Sequence, residues 1–195
     1  SAIHIEEKDS SGGLDFDDPE PWDDTVDGLE LLEEITGVLE KHVILPDGAK
    51  DAVALWILTS WTHDAFEISP LLNINSPTKR CGKTTLLDVI SALVPRPLVA
   101  SNISTAGLFR SIEAFKPTLL IDEADTFLHD NQEIYGVLNA GHRKRGAFVL
   151  RVEGDDFSPK QFSVWCPKVF AGIGKRKDTF EDRSIVIAMR RKERG

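Results

Sequence analysis

Five short apolar runs, separated by segments of helical periodicity, constrain the fold of this 195-residue chain more than any other feature. Strand and helix patterns alternate from Ser69 onward, which is typical of a parallel sheet covered by helices. The run at 118–121 is unbroken, which predicts a strand buried on both faces. Strands are predicted at 71–75, 98–100, 118–121, 168–171 and 185–189, with helices at 84–93, 105–115 and 131–139. The fold class is therefore α/β, with a five-stranded parallel sheet and flanking helices.

Two additional elements are predicted around this core. Residues 147–152 and 161–165 are rich in β-forming side chains and flank the polar run 153–156, which predicts a β-hairpin inserted before the fourth core strand. Ahead of the core, apolar spacing predicts one helix from Leu29 to His42 and a more buried one over 49–62. The predicted organisation is a linker over 1–26, a small helical segment over 27–68 and the core over 69–195.

The charges are distributed unevenly within a net charge of −9. Residues 1–27 contain ten acidic side chains and one lysine, a composition that predicts a disordered acidic linker. Residues 141–195 contain fourteen basic and seven acidic side chains. A basic region of this kind can bind an acidic partner such as nucleic acid, and it can equally be a solvated surface.

The sequence does not support a membrane or secreted protein. The longest apolar stretch, 52–61, is interrupted and too short to span a bilayer, and the first residues lack the apolar region of a signal peptide. The two cysteines, Cys81 and Cys166, make neither a disulfide framework nor a metal cluster. The predicted location is the reducing cytoplasm.

A glycine-lysine-threonine segment follows the first predicted strand. Cys81-Gly82-Lys83-Thr84-Thr85 lies between that strand and an apolar helix, the context in which a phosphate loop binds a nucleotide. Backbone N–H groups and the helix N-terminus bind phosphate, the lysine reaches the β- and γ-phosphates, and the hydroxyl binds Mg²⁺. The predicted nucleotide-binding residues are Thr78, Lys79, Arg80, Cys81, Gly82, Lys83, Thr84 and Thr85.

The match to the phosphate-loop motif is incomplete because Pro77 occupies the position of its first glycine. Proline lacks a donor N–H and has a fixed φ, both of which the entrance of the loop can tolerate. The alternative is a chance Gly-Lys-Thr sequence before a helix. The strand–loop–helix context argues against that alternative.

Two adjacent acids end the third predicted strand. Asp122 is predicted to hold Mg²⁺ together with Thr84, and Glu123 to orient and deprotonate the attacking water. Carboxylates at the end of a buried strand need a counter-charge, which Lys83 and Mg²⁺ would supply. The alternative is that these acids cap the following helix, a role that suits Asp125 better than Glu123.

The order of these motifs, with a hairpin ahead of the fourth core strand, resembles the AAA+ superfamily of P-loop ATPases. The segments 76–84, 138–142, 171–174 and 182–184 are similar to those of a poorly characterised family within it. Members of that family are ATPase domains of bacterial prophage and integrative-element proteins, often joined to primase or other replication modules. The resemblance covers residues 70–192 and implies a ring-forming oligomer that hydrolyses ATP with Mg²⁺.

The resemblance also assigns a role to Arg183. In ring-forming ATPases the arginine before the last core strand completes the site of the neighbouring subunit, so Arg183 is predicted to act in trans. The predicted catalytic residues are therefore Glu123 and Lys83 of one subunit and Arg183 of its neighbour. The alternative is a surface arginine paired with Asp182 or Glu181.

Two features of the superfamily are missing from the sequence. No polar sensor residue ends the fourth core strand, so Lys175 or a backbone group would replace it, or hydrolysis is slow. No C-terminal helical lid follows the last strand, and the chain is therefore expected to be a fragment of a longer protein. Asn139 and His142 are expected either to line the site or to cap the helix before them.

The resemblance implies that the hairpin faces the pore of a ring and contacts single-stranded or duplex DNA. Asp155 and Asp156 at its tip argue instead for a structural hairpin or for contact through the stem. The cations predicted to contact DNA phosphates are Arg143, Lys144, Arg145, Arg151 and Lys160.

The favoured function is Mg-dependent ATP hydrolysis by an oligomeric motor, a DNA helicase or translocase in mobile-element replication. One alternative is an ATP-driven defence or protein-remodelling ATPase. Another is a nucleotide-switched scaffold with little turnover, which Pro77 and the missing sensor would suit. The expected partners are further copies of the chain, DNA, and upstream and downstream modules of a longer protein, with no membrane.

Overall fold

The computed structural model describes Phe16 and residues 18–100, 103–124, 132–153, 158–174 and 178–191. Within these ranges the helices are α1 (Gly28–His42), α2 (Ala49–Trp61), α3 (Lys83–Leu93), α4 (Thr105–Phe115), α5 (Gln132–Ala140) and α6 (Asp178–Glu181). The strands are β1 (Leu71–Ser76), β2 (Pro97–Ala100), β3 (Thr118–Ile121), β4 (Phe148–Glu153), β5 (Ser158–Ser163), β6 (Lys168–Ile173) and β7 (Ser184–Ala188). Single 3₁₀ turns lie at His63–Ala65 and Lys144–Gly146.

Five strands form one all-parallel sheet in the order β2-β3-β6-β1-β7. Ile74 in β1 is level with Ala171 in β6 on one side and with Ile187 in β7 on the other. The predicted five-stranded parallel α/β sheet is therefore confirmed, and its strand order is compatible with a P-loop-like fold. Because the strands are parallel, their carboxyl ends share one edge of the sheet, called the carboxyl edge below, and their first residues share the amino edge.

Each face of the sheet packs against its own apolar core. Leu71 and Leu72 are both fully buried but contribute to opposite faces, as the period of two along a strand requires. Phe170 and Val169 alternate in the same way on β6. The helices α1, α2 and α3 cover one face, and α4 and α5 cover the other, with the buried side chains Leu39, Val53, Leu86, Leu108 and Val137.

The predicted insertion is an antiparallel hairpin formed by β4 and β5, with Leu150 opposite Gln161. It packs on α4, where the ring centroids of Phe109 and Phe162 lie 4.8 Å apart. The predicted tip residues Asp155 and Asp156 lie outside the described residues. In the part of the chain that the structure describes, no helix is long and apolar enough to cross a membrane.

Helix starts follow the capping residues in the sequence. The Asp27 carboxylate accepts hydrogen bonds from the N–H groups of Leu29 at 2.7 Å and Glu30 at 3.3 Å, so the first helix begins at Gly28. The Ser104 hydroxyl accepts from Gly107 N–H at 3.1 Å, which makes Ser104 the cap of α4. Residues 1–15 and 17 of the predicted linker lie outside the described residues, whereas Phe16 and Asp18 contact the core.

A lysine is fully buried at the amino edge. Lys168, the first residue of β6, donates from Nζ to the carbonyls of Val164 at 3.0 Å and Cys166 at 2.8 Å. Burial lowers the pKa of this amine, because the protein interior disfavours its charged form. Gly141 lies against the same group, and a Cβ atom there would collide with Lys168 Nζ and with the Val164 carbonyl oxygen. The turn after α5 therefore requires glycine for space.

We expect Gly141→Ala to lower the free energy of unfolding by about 1–3 kcal/mol, the usual cost of an overpacked interior. Gly136→Ala is the matched control, since a Cβ at Gly136 in α5 meets no atom within 4 Å. That control should be neutral or stabilising by up to about 1 kcal/mol, because alanine favours the helix. Urea denaturation of both variants measures the difference. Equal unfolding midpoints for the two would contradict the packing at Gly141.

Candidate nucleotide-binding site

The predicted phosphate loop spans residues 77–82, between the end of β1 and the start of α3. Gly82 precedes α3 with φ of 82°, in the left-handed region that glycine adopts without strain. Arg80 also lies in the left-handed region, with φ of 64°. Pro77 directly follows β1, so its missing N–H lies at the entrance of the loop. The loop therefore leads into a helix N-terminus, where free N–H groups and the helix dipole favour an anion.

Lys83 begins α3, and its side chain folds back toward β1. Its Nζ donates to the Ser76 hydroxyl at 2.7 Å, and that hydroxyl donates to the Thr78 carbonyl at 2.6 Å. Lys83 is buried, with 9% of its surface exposed, so its ammonium group needs such a partner. Ser76 was not predicted as a site residue. The sequence feature that could have identified Ser76 is a hydroxyl side chain between the predicted strand 71–75 and the loop.

Cys81 contacts the backbone of its own loop. Its Sγ lies 3.3 Å from the Thr78 carbonyl oxygen and 3.5 Å from the Thr78 hydroxyl. The hydrogen bond with the Thr78 side chain, together with smaller contributions from Ser76 and Lys83, lowers the pKa of this thiol. Cys166 is in the opposite situation, because complete burial raises the pKa of its thiol.

Asp122 and Glu123 follow β3, which β6 separates from β1 in the sheet. The Thr84 hydroxyl donates to Asp122 Oδ2 at 3.2 Å, across 38 positions of sequence. The other carboxylate oxygen of Asp122 accepts from the Glu123 N–H at 2.8 Å. Glu123 is exposed and has φ of 49°, so its backbone adopts the left-handed conformation next to the site. The structure thus brings the predicted metal ligands Thr84 and Asp122 together.

A cleft of about 860 Å³ adjoins the loop. It is lined by the α1–α2 connection, by the end of β7 and the residues after it, and by Arg80, Cys81, Gly82 and Thr85. The sequence did not predict the other walls, because they come from distant segments. These walls are His42, Val43, Ile44, Leu45, Pro46 and Asp47 on one side and Ala188, Met189, Arg190 and Arg191 on the other. Thr78 and Lys79, also predicted to bind the nucleotide, are exposed on the loop.

A backbone hydrogen bond lies just after β6, near the position at which the resemblance would place a polar sensor side chain. The Gly174 N–H donates to the Ser76 carbonyl at 3.1 Å, which joins the end of β6 to the end of β1. Gly174 has φ of 79°, a conformation that glycine tolerates. Lys175, the side chain considered as a substitute, lies outside the described residues.

Arg183 lies at the amino edge, immediately before β7, whereas the loop lies at the carboxyl edge. The five residues of β7 separate the two edges, a distance of about 15 Å at ~3.3 Å per residue. The Arg183 Nη1 donates to the Asn139 carbonyl at 3.2 Å and lies 3.5 Å from the Asn139 side-chain oxygen. His142 Nδ1 donates to the Ser69 carbonyl at 3.1 Å, so His142 also belongs to the amino edge. Arg183 therefore does not join the phosphate loop of its own chain.

Arg151 and Lys144, both predicted to contact DNA, are bonded to other groups of the chain. Arg151 donates to Glu133 Oε1 at 2.8 Å, and its guanidinium carbon lies 5.2 Å from the centre of the Phe109 ring. Lys144 Nζ donates to the Asp64 carbonyl. Arg143 and Arg145 are exposed near the hairpin root, and Lys160 is exposed on β5. Contact with DNA stays a prediction.

Comparison with protein-family models gives no match for this chain, and comparison with curated proteins gives none either.

The two cysteines provide a matched test of the loop geometry. In the native chain we expect iodoacetamide to alkylate Cys81 at least about tenfold faster than Cys166, because Cys81 has the lower pKa and lines the cleft. Peptide mass spectrometry over a time course measures both rates. In urea the two thiols should react at similar rates, which controls for their intrinsic reactivity. Equal alkylation of both in the native chain would contradict the described environment of Cys81.

Proposed function

We propose that this chain binds ATP with Mg²⁺ and hydrolyses it. The observation that carries the proposal is the approach of Thr84 and Asp122, which the fold brings within 3.2 Å beside a lysine at a helix N-terminus. Hydroxyl and carboxylate oxygens beside a lysine are the groups that a magnesium–phosphate ligand requires. The chain is then a P-loop NTPase of AAA+ type, as the resemblance of its motifs implies.

The phosphates would lie on the 77–82 loop, at the N-terminus of α3. Lys83 would exchange its hydrogen bond with Ser76 for the β- and γ-phosphates, an exchange that keeps a buried ammonium group paired. The base and ribose would occupy the adjoining cleft of about 860 Å³, a volume within the range of small-molecule sites.

Thr84 and Asp122 would hold the magnesium ion. Both offer hard oxygen ligands, and Mg²⁺ in such sites takes one or two carboxylates with the remaining positions filled by phosphate and water. When bound, Mg²⁺ offsets the negative charge that develops on the phosphates during transfer. The contact between Thr84 and Asp122 supports this assignment, because it needs little rearrangement to accommodate the ion.

Glu123 would act as the general base. It follows Asp122 directly, is exposed at the carboxyl edge, and its carboxylate would accept a proton from water. The water oxygen then forms a bond to the γ-phosphorus while the bond from that phosphorus to the bridging oxygen breaks. ADP carries away the electron pair of the broken bond, and inorganic phosphate leaves with the new oxygen.

Arg183 would complete the site of a neighbouring copy. Its position at the opposite edge from its own phosphate loop supports action in trans and argues against action in its own site. An arginine supplied in trans is worth about 10³–10⁵ in rate in related phosphoryl-transfer enzymes. The Asn139 contacts would hold the guanidinium until a neighbour docks.

A DNA helicase or translocase in mobile-element replication is the use that we favour, with the cytoplasm as its location. Support comes from the basic character of residues 141–195 and from the exposed Arg143, Arg145 and Lys160. Stimulation of ATP hydrolysis by single-stranded DNA, decreasing with salt, would distinguish this use from remodelling of proteins. Absence of stimulation at low salt would favour the protein-directed alternative.

We expect Glu123→Gln to lower the rate of ATP hydrolysis by about 100-fold or more, while ATP affinity changes little, because only proton transfer is removed. Glu34→Gln, an exposed substitution on α1, is the matched control and should hydrolyse ATP at the wild-type rate. Phosphate release and calorimetric ATP titration measure the two quantities. A wild-type chain no faster than Glu123→Gln would favour the scaffold alternative over the enzyme.

We expect Arg183→Ala to lower hydrolysis by about 10³-fold. Mixing Arg183→Ala with Glu123→Gln should restore activity, because the second variant supplies Arg183 to a neighbour that retains its own base. The specific activity of the wild-type chain should also rise with protein concentration. Inactivity of the mixture, with each variant folded and binding ATP, would contradict action in trans.

A further inference from the structure

A second cleft, of about 480 Å³, opens at the amino edge of the sheet, at the opposite edge from the phosphate loop. Arg96 before β2 and Lys116 after α4 contribute two cations to its wall. The acidic N-terminal segment supplies Asp18 and Pro19 to the same wall. The remaining wall comes from the end of α2, the 3₁₀ turn after it, the residues before β6, and Pro95 and Thr118; that turn adds one acidic residue, Asp64. The cleft therefore lies where an acidic segment meets basic side chains.

Phe16 is the first residue of that segment that the structure describes, and it contacts the core. Its ring lies edge-on to the ring of Phe115, with centroids 5.7 Å apart and an angle of 60° between the planes. Phe16 is half-buried and packs against the apolar cluster that includes Leu98 and Ile112. Edge-to-face packing is a favourable arrangement for two aromatic rings. Phe16 thus behaves as an aromatic anchor on the end of α4.

Asp18 makes the second contact, two residues later. Its carboxylate accepts from Arg96 Nε at 2.6 Å with one oxygen and from Arg96 Nη2 with the other, which is a two-point guanidinium–carboxylate pair. Arg96 is itself oriented, because its Nη1 donates to the Phe115 carbonyl at 3.2 Å. The pairing lowers the pKa of Asp18 and raises that of Arg96. The guanidinium is therefore fixed in a plane that suits a carboxylate.

The Phe16–Phe115 and Asp18–Arg96 contacts are close enough to solvent to break and re-form. The Asp18 side chain is 57% exposed and that of Arg96 is 34% exposed, so water and salt reach the pair. Every residue from Asp18 to Glu30 is exposed, which leaves the segment without further buried anchors before α1. Elements with few buried contacts open locally at low cost. Among the described residues of the segment, the Phe16 ring and the Asp18 carboxylate provide its contacts with the core.

We propose that the surface beside this cleft, formed by Phe115, Arg96 and Lys116, is a docking site for short acidic peptides in which an aromatic residue precedes an aspartate by two positions. Phe16 and Asp18 of the chain are its resident contacts, bound in cis. The Phe115 ring recognises the aromatic side chain, the Arg96 fork recognises the carboxylate, and Lys116 favours acidic neighbours. A partner peptide binds by displacing Phe16 and Asp18. This proposal does not depend on ATP binding, because it uses none of the phosphate-loop residues.

The test uses the full chain and a fluorescein-labelled peptide with the sequence of residues 12–21. The double variant Phe16→Ala/Asp18→Ala removes the resident side chains and leaves Arg96, Phe115 and Lys116 unchanged. The peptide should bind this variant about tenfold or more tightly than it binds the wild-type chain, since a tethered occupant competes at a high effective concentration. Fluorescence anisotropy measures both affinities. Equal affinity for the two chains, or no binding to the variant, would overturn the proposal.

Charge reversal distinguishes specific docking from general attraction. Adding Arg96→Glu to the double variant should abolish binding of the wild-type peptide and permit binding of a peptide that carries Asp18→Arg. Lys41→Glu, an exposed substitution on α1, makes the same kind of charge change and should leave peptide binding unchanged. Circular dichroism confirms that each variant is folded. Binding of a scrambled acidic peptide with equal affinity would show charge attraction alone and would overturn the recognition of the motif.

The oligomeric state separates docking in cis from exchange between copies. Light scattering of the wild-type and double-variant chains should give the same mass at each concentration if the segment binds its own chain. Self-association of the wild-type chain that the double variant loses would assign the occupant to a second copy and overturn docking in cis.

Discussion

The hydrogen bond between Lys83 Nζ and the Ser76 hydroxyl, at 2.7 Å, positions the phosphate loop at the carboxyl edge before a nucleotide binds. It joins the first residue of α3 to the last residue of β1, so the loop between them is closed at its base. Neighbouring strands reinforce it: the Ser76 carbonyl accepts from Gly174 N–H at 3.1 Å, and the Asn75 carbonyl accepts from Met189 N–H at 2.8 Å. The end of β1 is therefore tied to the ends of β6 and β7, and the proposed phosphate-binding N–H groups have a rigid support.

The same strand organises the amino edge. The Leu71 N–H donates to the Arg183 carbonyl at 2.9 Å, and the Ser69 N–H donates to the His142 carbonyl at 2.9 Å. The segment after α5, which leads to the hairpin, is thus bonded to the residues that enter β1. One buried strand connects the phosphate loop, the hairpin root and Arg183. A displacement of either of the last two would act on the loop through β1.

Local patterns predicted the elements well because strands, helices and caps are determined by nearby residues. The five strands and the hairpin begin and end within three residues of their predicted bounds. Helix starts were predicted equally well, because Ser104 and Gly82 directly precede α4 and α3. The insertion of β6 between β1 and β3 was not predicted, since periodicity contains no information on strand order. Long-range contacts were missed for the same reason: Arg151 with Glu133, and the cleft wall formed by the α1–α2 connection. Asp122 near Thr84 was anticipated because an acid that ends a buried strand and a hydroxyl that follows the Gly-Lys pair are the residue types expected to share a Mg²⁺ ion.

Calorimetric titration of Mg-ATP into Lys83→Met and wild-type chains tests the central claim most directly. Methionine retains an apolar stem of similar length and removes the charge, so the fold should persist while phosphate binding is lost. The account predicts measurable affinity in the wild-type chain and a dissociation constant raised by about 100-fold or more in the variant, in line with the loss of a charge-assisted contact. Equal affinity in two folded chains, or no binding to the wild-type chain at any accessible concentration, would contradict it.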